Sequence, residues 1–280
     1  MKTALILLAV GMQLVISGTA SGNVTASGNV AMNIPAWSLL SEAPTATGPG
    51  LASVYSIMGV SRSQHREDIH LFTKYFCGVK NGTFLELGGL DGLLFSNTYA
   101  LEQNMGWKGV LIEPNPKGYI AITHNRPHAF AVNAAVCQEP TRVHFVSNHR
   151  SAISGVLEFM GETFVKQWHP YLADLSTAER AAHPHVSAIM CVPLPALLEH
   201  TSIKHFNFWS LDVEGGELQV LNAVDFNLFT FDVIVVEADG HNAEKDEAVR
   251  DLLESNGYEF DEHIKSNDWF VRKSWAPMPC

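Results

Sequence analysis

Polar and acidic residues follow five apolar segments of this sequence, each at the point where the segment ends. Continuous apolar segments are typical of buried parallel strands, and an open parallel sheet binds its ligands beyond the carboxyl ends of its central strands. One polar strand end is ordinary, but five in one sheet predict a shared pocket. The residues are Glu86, Gly88, Gly89, Asp91 and Gly92 after the first segment, Glu113 after the second, Asn133 after the third, Asp212 and Glu214 after the fourth, and Glu237 and Asp239 after the fifth.

The turn after the first segment, in FLELGGLDG, indicates which ligand the pocket suits. It lacks both the G-x-G-x-x-G pattern of dinucleotide sites and the G-x-x-x-x-G-K-[ST] pattern of P-loops. A ring of carboxylates repels phosphate, whereas Glu113, after the second strand, can accept hydrogen bonds from both hydroxyls of a ribose. S-adenosylmethionine has a ribose, two cationic groups and a carboxylate that can cap a helix beginning near Ser96. The sequence favours it over NAD, whose pyrophosphate would face Asp91.

Helical segments alternate with the apolar ones and predict how the strand ends meet. The strands TFLELG, GVLIEP, AFAVNAAV, FNFWSLDV and FDVIVVEA are separated mostly by the helices SNTYALEQNMG, PKGYIAITHN and GELQVLNAVDF. This alternation predicts a parallel sheet with helices on both faces. After a further helix, YEFDEHI and NDWFVRK predict an antiparallel hairpin at the sheet edge.

Residues 138–190 interrupt the alternation and predict an insertion. It contains a short strand, RVHFV, and a helix-like stretch with Trp168 and Tyr171. Long insertions on such scaffolds often form lids or substrate walls. We expect His149, Arg150, Ser151 and Ser154 either to line the side of the pocket that takes a second substrate or to belong to a solvated loop.

Several of these segments, taken in order, resemble the FkbM-type family of S-adenosylmethionine-dependent methyltransferases. They include FLELGGLDGLLFSNTYALEQNMGWKGVLIEPNP, NRPHAFAVNAAVC, LDVEGGELQVL, VIVVEADG and NDWFVRK, of which LDVEGGE is the most specific. The resemblance implies an α/β protein with the class I (Rossmann-like) methyltransferase fold: a seven-stranded, mostly parallel sheet with an antiparallel C-terminal hairpin. It also implies methyl transfer, usually to oxygen, with S-adenosylmethionine as cofactor.

The resemblance implies a role for individual positions. The methionine end of the cofactor is expected at Glu86, Gly88, Gly89, Asp91 and Gly92, with Ser96 and Asn97 as the anchor for its carboxylate. Glu113 is expected to bind the ribose, with Pro114 and Asn115 on one edge of the adenine and Asn133 and Ala134 on the other. Asp212 is expected to face the methionine ammonium or the acceptor.

Three residues are candidate catalytic groups, because a hydroxyl must lose its proton when it is methylated. They are Asp212, Glu237 and His241; for His241 the alternative is a surface histidine. Two other possibilities stay open for the acidic residues. Asp212 with Glu237 or Asp239 can hold a divalent cation, although no metal is part of the main prediction, and Glu214 can be a helix cap.

The first twenty residues, MKTALILLAVGMQLVISGTA, predict a secretory signal peptide (1–20), with a retained signal anchor as the alternative. A flexible lead-in (21–60) and a methyltransferase domain (61–280) follow. The predicted location is the secretory lumen or the cell exterior, with a cytosolic enzyme as the alternative should the segment not act as a signal. Sequons at Asn23 and Asn81 then predict N-glycosylation. No later segment is apolar enough to span a membrane.

The four cysteines and the net charge narrow the environment and the partners. In an oxidising compartment we expect a disulfide, Cys137–Cys191 first and Cys77–Cys280 second, with free thiols as the alternative. A net charge of −11, from 18 basic and 29 acidic side chains, argues against nucleic acid as a partner. The acceptor is left open among carbohydrate, lipid, small metabolite and protein. A binding or trafficking protein that keeps the fold without turnover is the alternative function.

Overall fold

The computed structural model describes the backbone of residues 14–15, 29–33, 45–46, 50–147 and 150–280, and side chains from residue 53 onward within these ranges. The predicted signal peptide therefore lies outside the described residues except for Leu14–Val15, and Asn23 lies outside them too. Among the helices that are described, none is long and apolar enough to cross a membrane.

The predicted strands and helices occur in the predicted order, and the structure adds short elements that the sequence did not predict, among them the strands Val79–Lys80 and Gly155–Val156 and the helix Leu194–Leu198. The strands are β1 Leu14–Val15, β2 Asn29–Asn33, β3 Thr45–Ala46, β4 Val79–Lys80, β5 Thr83–Leu87, β6 Lys108–Ile112, β7 Phe130–Asn133, β8 Ala135–Val136, β9 Thr141–Val146, β10 Gly155–Val156, β11 Val186–Val192, β12 His205–Leu211, β13 Thr230–Glu237, β14 Tyr258–Ile264 and β15 Asn267–Arg272. The α-helices are α1 Gly50–Met58, α2 Glu67–Lys74, α3 Tyr99–Met105, α4 Pro116–Asn125, α5 Glu162–Trp168, α6 Pro170–Ala173, α7 Thr177–Ala181, α8 Leu194–Leu198, α9 Glu217–Asn222 and α10 Ala243–Ser255.

The main sheet contains the seven strands, with the directions, that the resemblance implies. Seven strands run in the order β7-β6-β5-β12-β13-β15-β14, and β2 and β1 extend the sheet beyond β7. From β7 to β13 every pairing is parallel, whereas β15 is antiparallel to both of its neighbours. The chain order reverses between β5 and β12. At such a reversal the loops on either side diverge and leave a crevice, so ligands of these sheets bind there.

Alternate residues of the strands supply two separate hydrophobic cores, one on each face of the sheet. Leu85 and Val110 pack on one face with residues of α8, α9 and α10, while Phe84 and Leu111 pack on the other with residues of α2, α3 and α4. Helices on both faces explain why these strands are apolar along their whole length.

Local signals fix where the helix next to the crevice begins. Pro116 occupies the first turn of α4, and the side chain of Asn115 accepts a hydrogen bond from the amide of Lys117 at 3.0 Å. Proline at the start and asparagine at the cap are the residues that favour a helix start. The Glu113–Asn115 turn is therefore held between β6 and a well-capped helix.

The insertion is a small sheet attached to the main one. Strands β10, β9, β11 and β8 form it, and β8 continues directly from the end of β7. It has two apolar clusters of its own, one around Phe145 and one that joins Val146 to Val165 of α5 and Leu172 of α6. Helix α5 follows β10 and contributes Phe164 and Trp168 to one side of the crevice.

Two features differ from or extend the expected domain boundaries. Helix α1 lies within the predicted lead-in, and Ile57 is fully buried. The folded part of the chain therefore begins before residue 61. The cysteines form both pairs that the sequence favours: Cys137–Cys191 joins β8 to β11, and Cys77–Cys280 joins the end of α2 to the C-terminus.

Candidate active site

A cavity of about 600 Å³ opens at the carboxyl ends of the central strands. Its size is typical of a small-molecule site. Most of the residues predicted for the site line it: Glu86, Gly88, Asp91, Asn97, Glu113, Pro114, Asn115, Ala134, Asp212, Glu237 and His241. Gly89, Gly92, Ser96 and Asn133 do not line the cavity but shape the turns around it.

The carboxylate of Glu86 orders the turn between β5 and α3. Its Oε1 accepts a hydrogen bond from the Asn97 amide at 2.8 Å, and its Oε2 accepts one from the Ser96 hydroxyl at 2.9 Å. Ser96 is buried and faces Glu86, so its hydroxyl is directed away from the cavity. The structure therefore gives Ser96 a place in the support of the turn and leaves Asn97 as the member of the pair that reaches the cavity.

Arg126, which the sequence reasoning did not single out, supports the same turn from beneath. It is fully buried, donates from Nε to Glu102 at 2.6 Å, and donates from Nη1 to the Gly92 carbonyl at 3.1 Å and the Ser96 hydroxyl at 3.0 Å. A buried guanidinium with several acceptors is a strong structural anchor. The motif NRPH around it gives no sequence signal of these partners, which lie 24 to 34 positions away.

Gly88 is required by the close approach of two strand ends. Its φ is +82°, and a Cβ added there would lie 1.8 Å from the carbonyl oxygen of Asp212. No side chain fits between backbones at this distance. Gly88 thus brings the end of β5 against the end of β12 and keeps the floor of the cavity open.

Glu113 lies at the end of β6 as predicted and is almost completely buried. Its two oxygens accept hydrogen bonds from the amides of Leu90 at 2.8 Å and Asn115 at 2.7 Å. Burial raises its pKa to about 8, against the opposing effect of these two bonds. Asn133 donates to the carbonyls of Glu113 and Pro114, so it fixes this turn and does not face the ligand.

Three carboxylates form a cluster at the ends of β12 and β13. Asp212, Glu214 and Glu237 each offer an oxygen within 4.8 Å of the others. Burial, reinforced by mutual repulsion, raises the pKa of Asp212 to about 7 and that of Glu214 to about 9, and it raises the pKa of Glu237 well above its usual value. Asp239 lies outside this cluster.

Asp239 and His241 form a pair at the rim of the cavity. His241 Nδ1 is hydrogen-bonded to the Asp239 carboxylate, and Asp239 also accepts from the His241 amide. The His241 side chain is half exposed. His241 is thus the candidate catalytic residue that is most open to solvent, and Asp239 is its hydrogen-bond partner.

The insertion supplies the wall opposite the strand ends. Phe145, Val156, Phe159, Phe164 and Trp168 line the cavity, together with Ser151 and Ser154. Ser151 and Ser154 thus lie where the sequence predicts, whereas Arg150 is not part of the lining and His149 lies outside the described residues. The apolar members of the wall were not predicted as site residues, because their spacing follows no single helical or strand period.

The residues of the cavity fit S-adenosylmethionine. Glu113 provides paired acceptor oxygens after the second strand, and Gly88 leaves room that a Cβ would fill. Asn97 Oδ1 is buried at the edge of the cavity without a hydrogen-bond partner among the described residues. An acceptor atom in this position suits the ammonium of the methionine end better than its carboxylate.

The strand order and the site at its reversal define a class I methyltransferase. The chain belongs to the FkbM methyltransferase family: the family's methyltransferase domain matches residues 77–260, well over half of the sequence. Its cofactor is S-adenosylmethionine. By sequence, the chain matches none of the curated proteins with which it was compared.

Solved structures with some similarity include several methyltransferases. Precorrin-6y C5,15-methyltransferase from Geobacter metallireducens is 13% identical, with 69% of this chain and 78% of that one covered and a TM-score of 0.36. Fibrillarin from Aeropyrum pernix, solved with natively bound S-adenosyl-L-methionine, is 10% identical, with 69% and 66% covered and a TM-score of 0.36. Fibrillarin from Methanococcus jannaschii is 8% identical, with 88% and 89% covered and the same TM-score. Likeness at this level does not bear on function, which rests on the family match.

Proposed function

We propose that this protein methylates an oxygen of a small acceptor and that Asp212 accepts the proton that the acceptor hydroxyl releases. The observation that carries the proposal is the carboxylate cluster of Asp212, Glu214 and Glu237, which lies in the same cavity as the cofactor cradle. A hydroxyl becomes a good nucleophile only as its proton leaves, so a base beside the methyl group is the group that the reaction needs.

The chain's own residues hold the two reactants in position. Glu113 binds the ribose hydroxyls and Asn97 Oδ1 accepts a hydrogen bond from the ammonium. When bound, S-adenosylmethionine supplies a methyl group on a positively charged sulfur, which is already activated for displacement. The protein therefore contributes mainly orientation, which can supply a large part of the rate enhancement.

Asp212 is the member of the cluster best suited to act as the base. A general base works best when its pKa is near the working pH, and burial brings the pKa of Asp212 to about 7. Glu237 forms a hydrogen bond with Asp212 and has a strongly raised pKa, so it serves as the proton-carrying partner in the pair. The Asp239–His241 pair, open to solvent, offers the released proton a path to water.

The test compares Asp212→Asn with wild type for transfer of a labelled methyl group and for cofactor binding. We expect transfer to fall by about 100-fold or more, with the cofactor Kd nearly unchanged. The wild-type rate should rise with pH through about 7, because the ionised form of Asp212 accepts the proton. Asp251→Asn, an exposed residue of α10, is the matched control.

Two outcomes would redirect the proposal. A large loss of cofactor affinity in Asp212→Asn would make Asp212 the ligand of the ammonium instead of the base. A rate that disappears after treatment with EDTA and returns with Mg²⁺ would assign the three-carboxylate cluster to a divalent cation.

The second candidate function is a secreted or lumenal protein that binds S-adenosylmethionine without turning it over. Its support is the pair of disulfides, which fits an oxidising compartment. The charged cofactor does not cross a bilayer unaided, so it must be carried into such a compartment. Saturable cofactor binding with no methylated product from any acceptor would favour this function.

A further inference from the structure

The cavity wall formed by the insertion is almost entirely apolar. Phe145 and Val156 are buried within it, and Phe159, Phe164 and Trp168 are partly exposed where they line the cavity. Among the described residues that line this wall, the polar side-chain groups are the hydroxyls of Ser151 and Ser154 and the indole N–H of Trp168. A wall of this kind binds apolar surface and offers few partners for hydroxyl groups.

A further aromatic side chain lines the cavity from the loop between β5 and α3. Phe95 is 37% exposed, and its φ of +58° places it in the left-handed region. Such a conformation is costly for a bulky residue and is often retained at a binding site. An exposed aromatic held in this way adds a second apolar surface to the mouth of the cavity.

The apolar wall lies directly against the carboxylate cluster. A Cβ added at Gly216 would lie 2.9 Å from Phe159, and one added at Gly155 would lie 3.2 Å from the Cβ of Glu214. An apolar body that packs on the wall therefore has its edge within reach of the carboxylates. A single hydroxyl at that edge is enough to meet the base.

A buried histidine holds the wall in place. His169 is fully buried, and its Nε2 is hydrogen-bonded to the carbonyl of Ile153 at 2.8 Å, while its Nδ1 is hydrogen-bonded to the hydroxyl of Tyr171 at 3.0 Å. The segment that carries Ser151 to Ser154 is thus tied to α6. The hydrogen bonds of His169 therefore hold this part of the apolar wall in a fixed position.

The charge of the cavity limits the acceptor further. Seven carboxylate side chains line the cavity against one lysine, Lys117. The carboxylates are Glu86, Asp91, Glu113, Asp212, Glu214, Glu237 and Asp239. Those carboxyl groups that are ionised would repel an acceptor that bears a carboxylate or a phosphate, and a single lysine offers little compensation. An acceptor with many hydroxyls would leave several of them without partners against the apolar wall, which is costly.

We infer that the acceptor is an uncharged alcohol whose hydroxyl is carried on an apolar body, bound with that body against Phe159, Phe164 and Trp168. This inference rests on the proposed function for the identity of the reacting group. The binding of the apolar body is separate from turnover and can be measured without it.

The first experiment measures equilibrium binding to the protein saturated with S-adenosylhomocysteine. The probes are 2-naphthol, methyl β-glucoside and 6-hydroxy-2-naphthoate. We expect 2-naphthol to bind at least 10-fold more tightly than each of the others. Binding of the glucoside or of the naphthoate that is as tight as that of 2-naphthol, or tighter, would overturn the inference in favour of a sugar or of an anion.

The second experiment changes the wall. Trp168→Ala should weaken 2-naphthol binding by about 10-fold or more, because it removes an aromatic contact and the apolar area that this contact buries. The cofactor Kd should not change, and Phe164→Leu, a milder substitution, should weaken 2-naphthol binding in the same direction. Tyr55→Ala, at a residue 66% exposed and outside the cavity lining, is the matched control.

The two proposals fail in different ways. If Trp168→Ala weakens binding of the cofactor and leaves binding of 2-naphthol unchanged, the wall binds the adenine and the inference is wrong. The methyltransferase proposal is unaffected by that result. If 2-naphthol binds as expected but neither 2-naphthol nor methyl β-glucoside receives a labelled methyl group, the proposed methyl transfer fails. The apolar binding site then stands.

Discussion

Carboxyl groups make up most of the chemistry of this site, and burial changes what they can do. An exposed carboxylate has a pKa too low to take a proton at neutral pH, whereas the pKa of Asp212 is about 7 and that of Glu113 about 8. In each case burial is the largest cause, because removing the charged form from water is unfavourable. The same pKa shifts also make the free energy of unfolding depend on pH, and this dependence can be measured at a single residue.

Glu214 is the residue at which this pH dependence of stability is clearest. Its folded-state pKa of about 9 lies above its ordinary value of 4.5, so the folded protein keeps a proton that the unfolded chain has released. The resulting stability is complete below about pH 4.5 and is lost as the pH rises toward 9. We expect the urea midpoint of the cofactor-free protein to fall over this range.

The variant Glu214→Gln should show a smaller fall, because glutamine does not titrate. Urea unfolding at pH 6 and pH 9 checks this, with Glu259→Gln on the exposed face of β14 as control. A fall as steep as that of wild type would show that Glu214 is not responsible.

At the scale of single elements, the turn between β5 and α3 is held from both sides. Gly88 meets the backbone of β12, and Arg126 binds the turn from the side of α4. Each contact joins segments that are far apart in sequence, so each can be removed separately and its contribution measured.

Gly88→Ala should be strongly destabilising and should also impair cofactor binding. The new Cβ would meet the Asp212 carbonyl, and the positive φ adds strain, for a total of about 2–5 kcal/mol. Gly257→Ala is the matched control, since its φ is +89° but nothing lies within 4 Å of the added atom. The control should cost only about 1–2 kcal/mol in urea unfolding. Equal losses in the two variants would contradict the close approach of β5 and β12.

Arg126→Met should cost about 3–5 kcal/mol, because it leaves the carboxylate of Glu102 buried without its cation. The double variant Arg126→Met with Glu102→Gln should recover part of this loss, since residue 102 then no longer carries a buried charge without its cation, although Glu86 still lacks its partner at 3.8 Å. Urea midpoints of the two variants check the prediction. A double variant less stable than the single one would show that the ion pair is not the source of the loss.

The positions that sequence reasoning placed well are those whose local pattern is enough to fix them. Glu113 and Asp212 end apolar strands, and parallel strands bring their carboxyl ends to one edge, so both were placed in the cavity. Ser96 and Asn133 come from the same motifs, yet their side chains turn toward the supporting backbone. Which way a side chain turns depends on partners that the local sequence does not contain.

The apolar wall and Arg126 are parts of the site that the local sequence does not indicate. Trp168 belongs to a helix whose sequence does not reveal that it lies across the cavity from β5. Arg126 follows a predicted helix end, where a basic residue is ordinary. Trp168 lines the cavity only because the insertion packs across it. Arg126 binds the turn between β5 and α3 only because α4 packs beside that turn.

At the scale of the whole molecule, two disulfides tie distant parts of the fold together. Cys77–Cys280 closes 203 residues and holds the C-terminus against the end of α2, and Cys137–Cys191 closes 54 residues at the base of the insertion. Constraining loops of these lengths stabilises a protein by up to about 4–5 kcal/mol. Two such links are compatible with an oxidising compartment.

Removal of the longer link by Cys77→Ser with Cys280→Ser should lower the melting temperature without changing cofactor affinity, because neither residue lines the cavity. Alkylation of the unreduced wild-type protein should add no mass, and alkylation after reduction should add four groups. Modified cysteines in the unreduced protein, or an unchanged melting temperature in the variant, would contradict the pairing.

The central claim is that the cavity at the ends of β5, β6 and β12 binds S-adenosylmethionine. Isothermal titration of the purified protein with this cofactor tests the claim most directly. We predict saturable binding at one site per chain. Glu113→Gln should raise the Kd by about 10-fold or more, because it replaces one of the two acceptor oxygens with a donor, and a buried polar group left without its partner costs about 1–3 kcal/mol, whereas Glu259→Gln should leave it unchanged. Absence of saturable binding, or binding that Glu113→Gln leaves as tight as in wild type, would contradict the account.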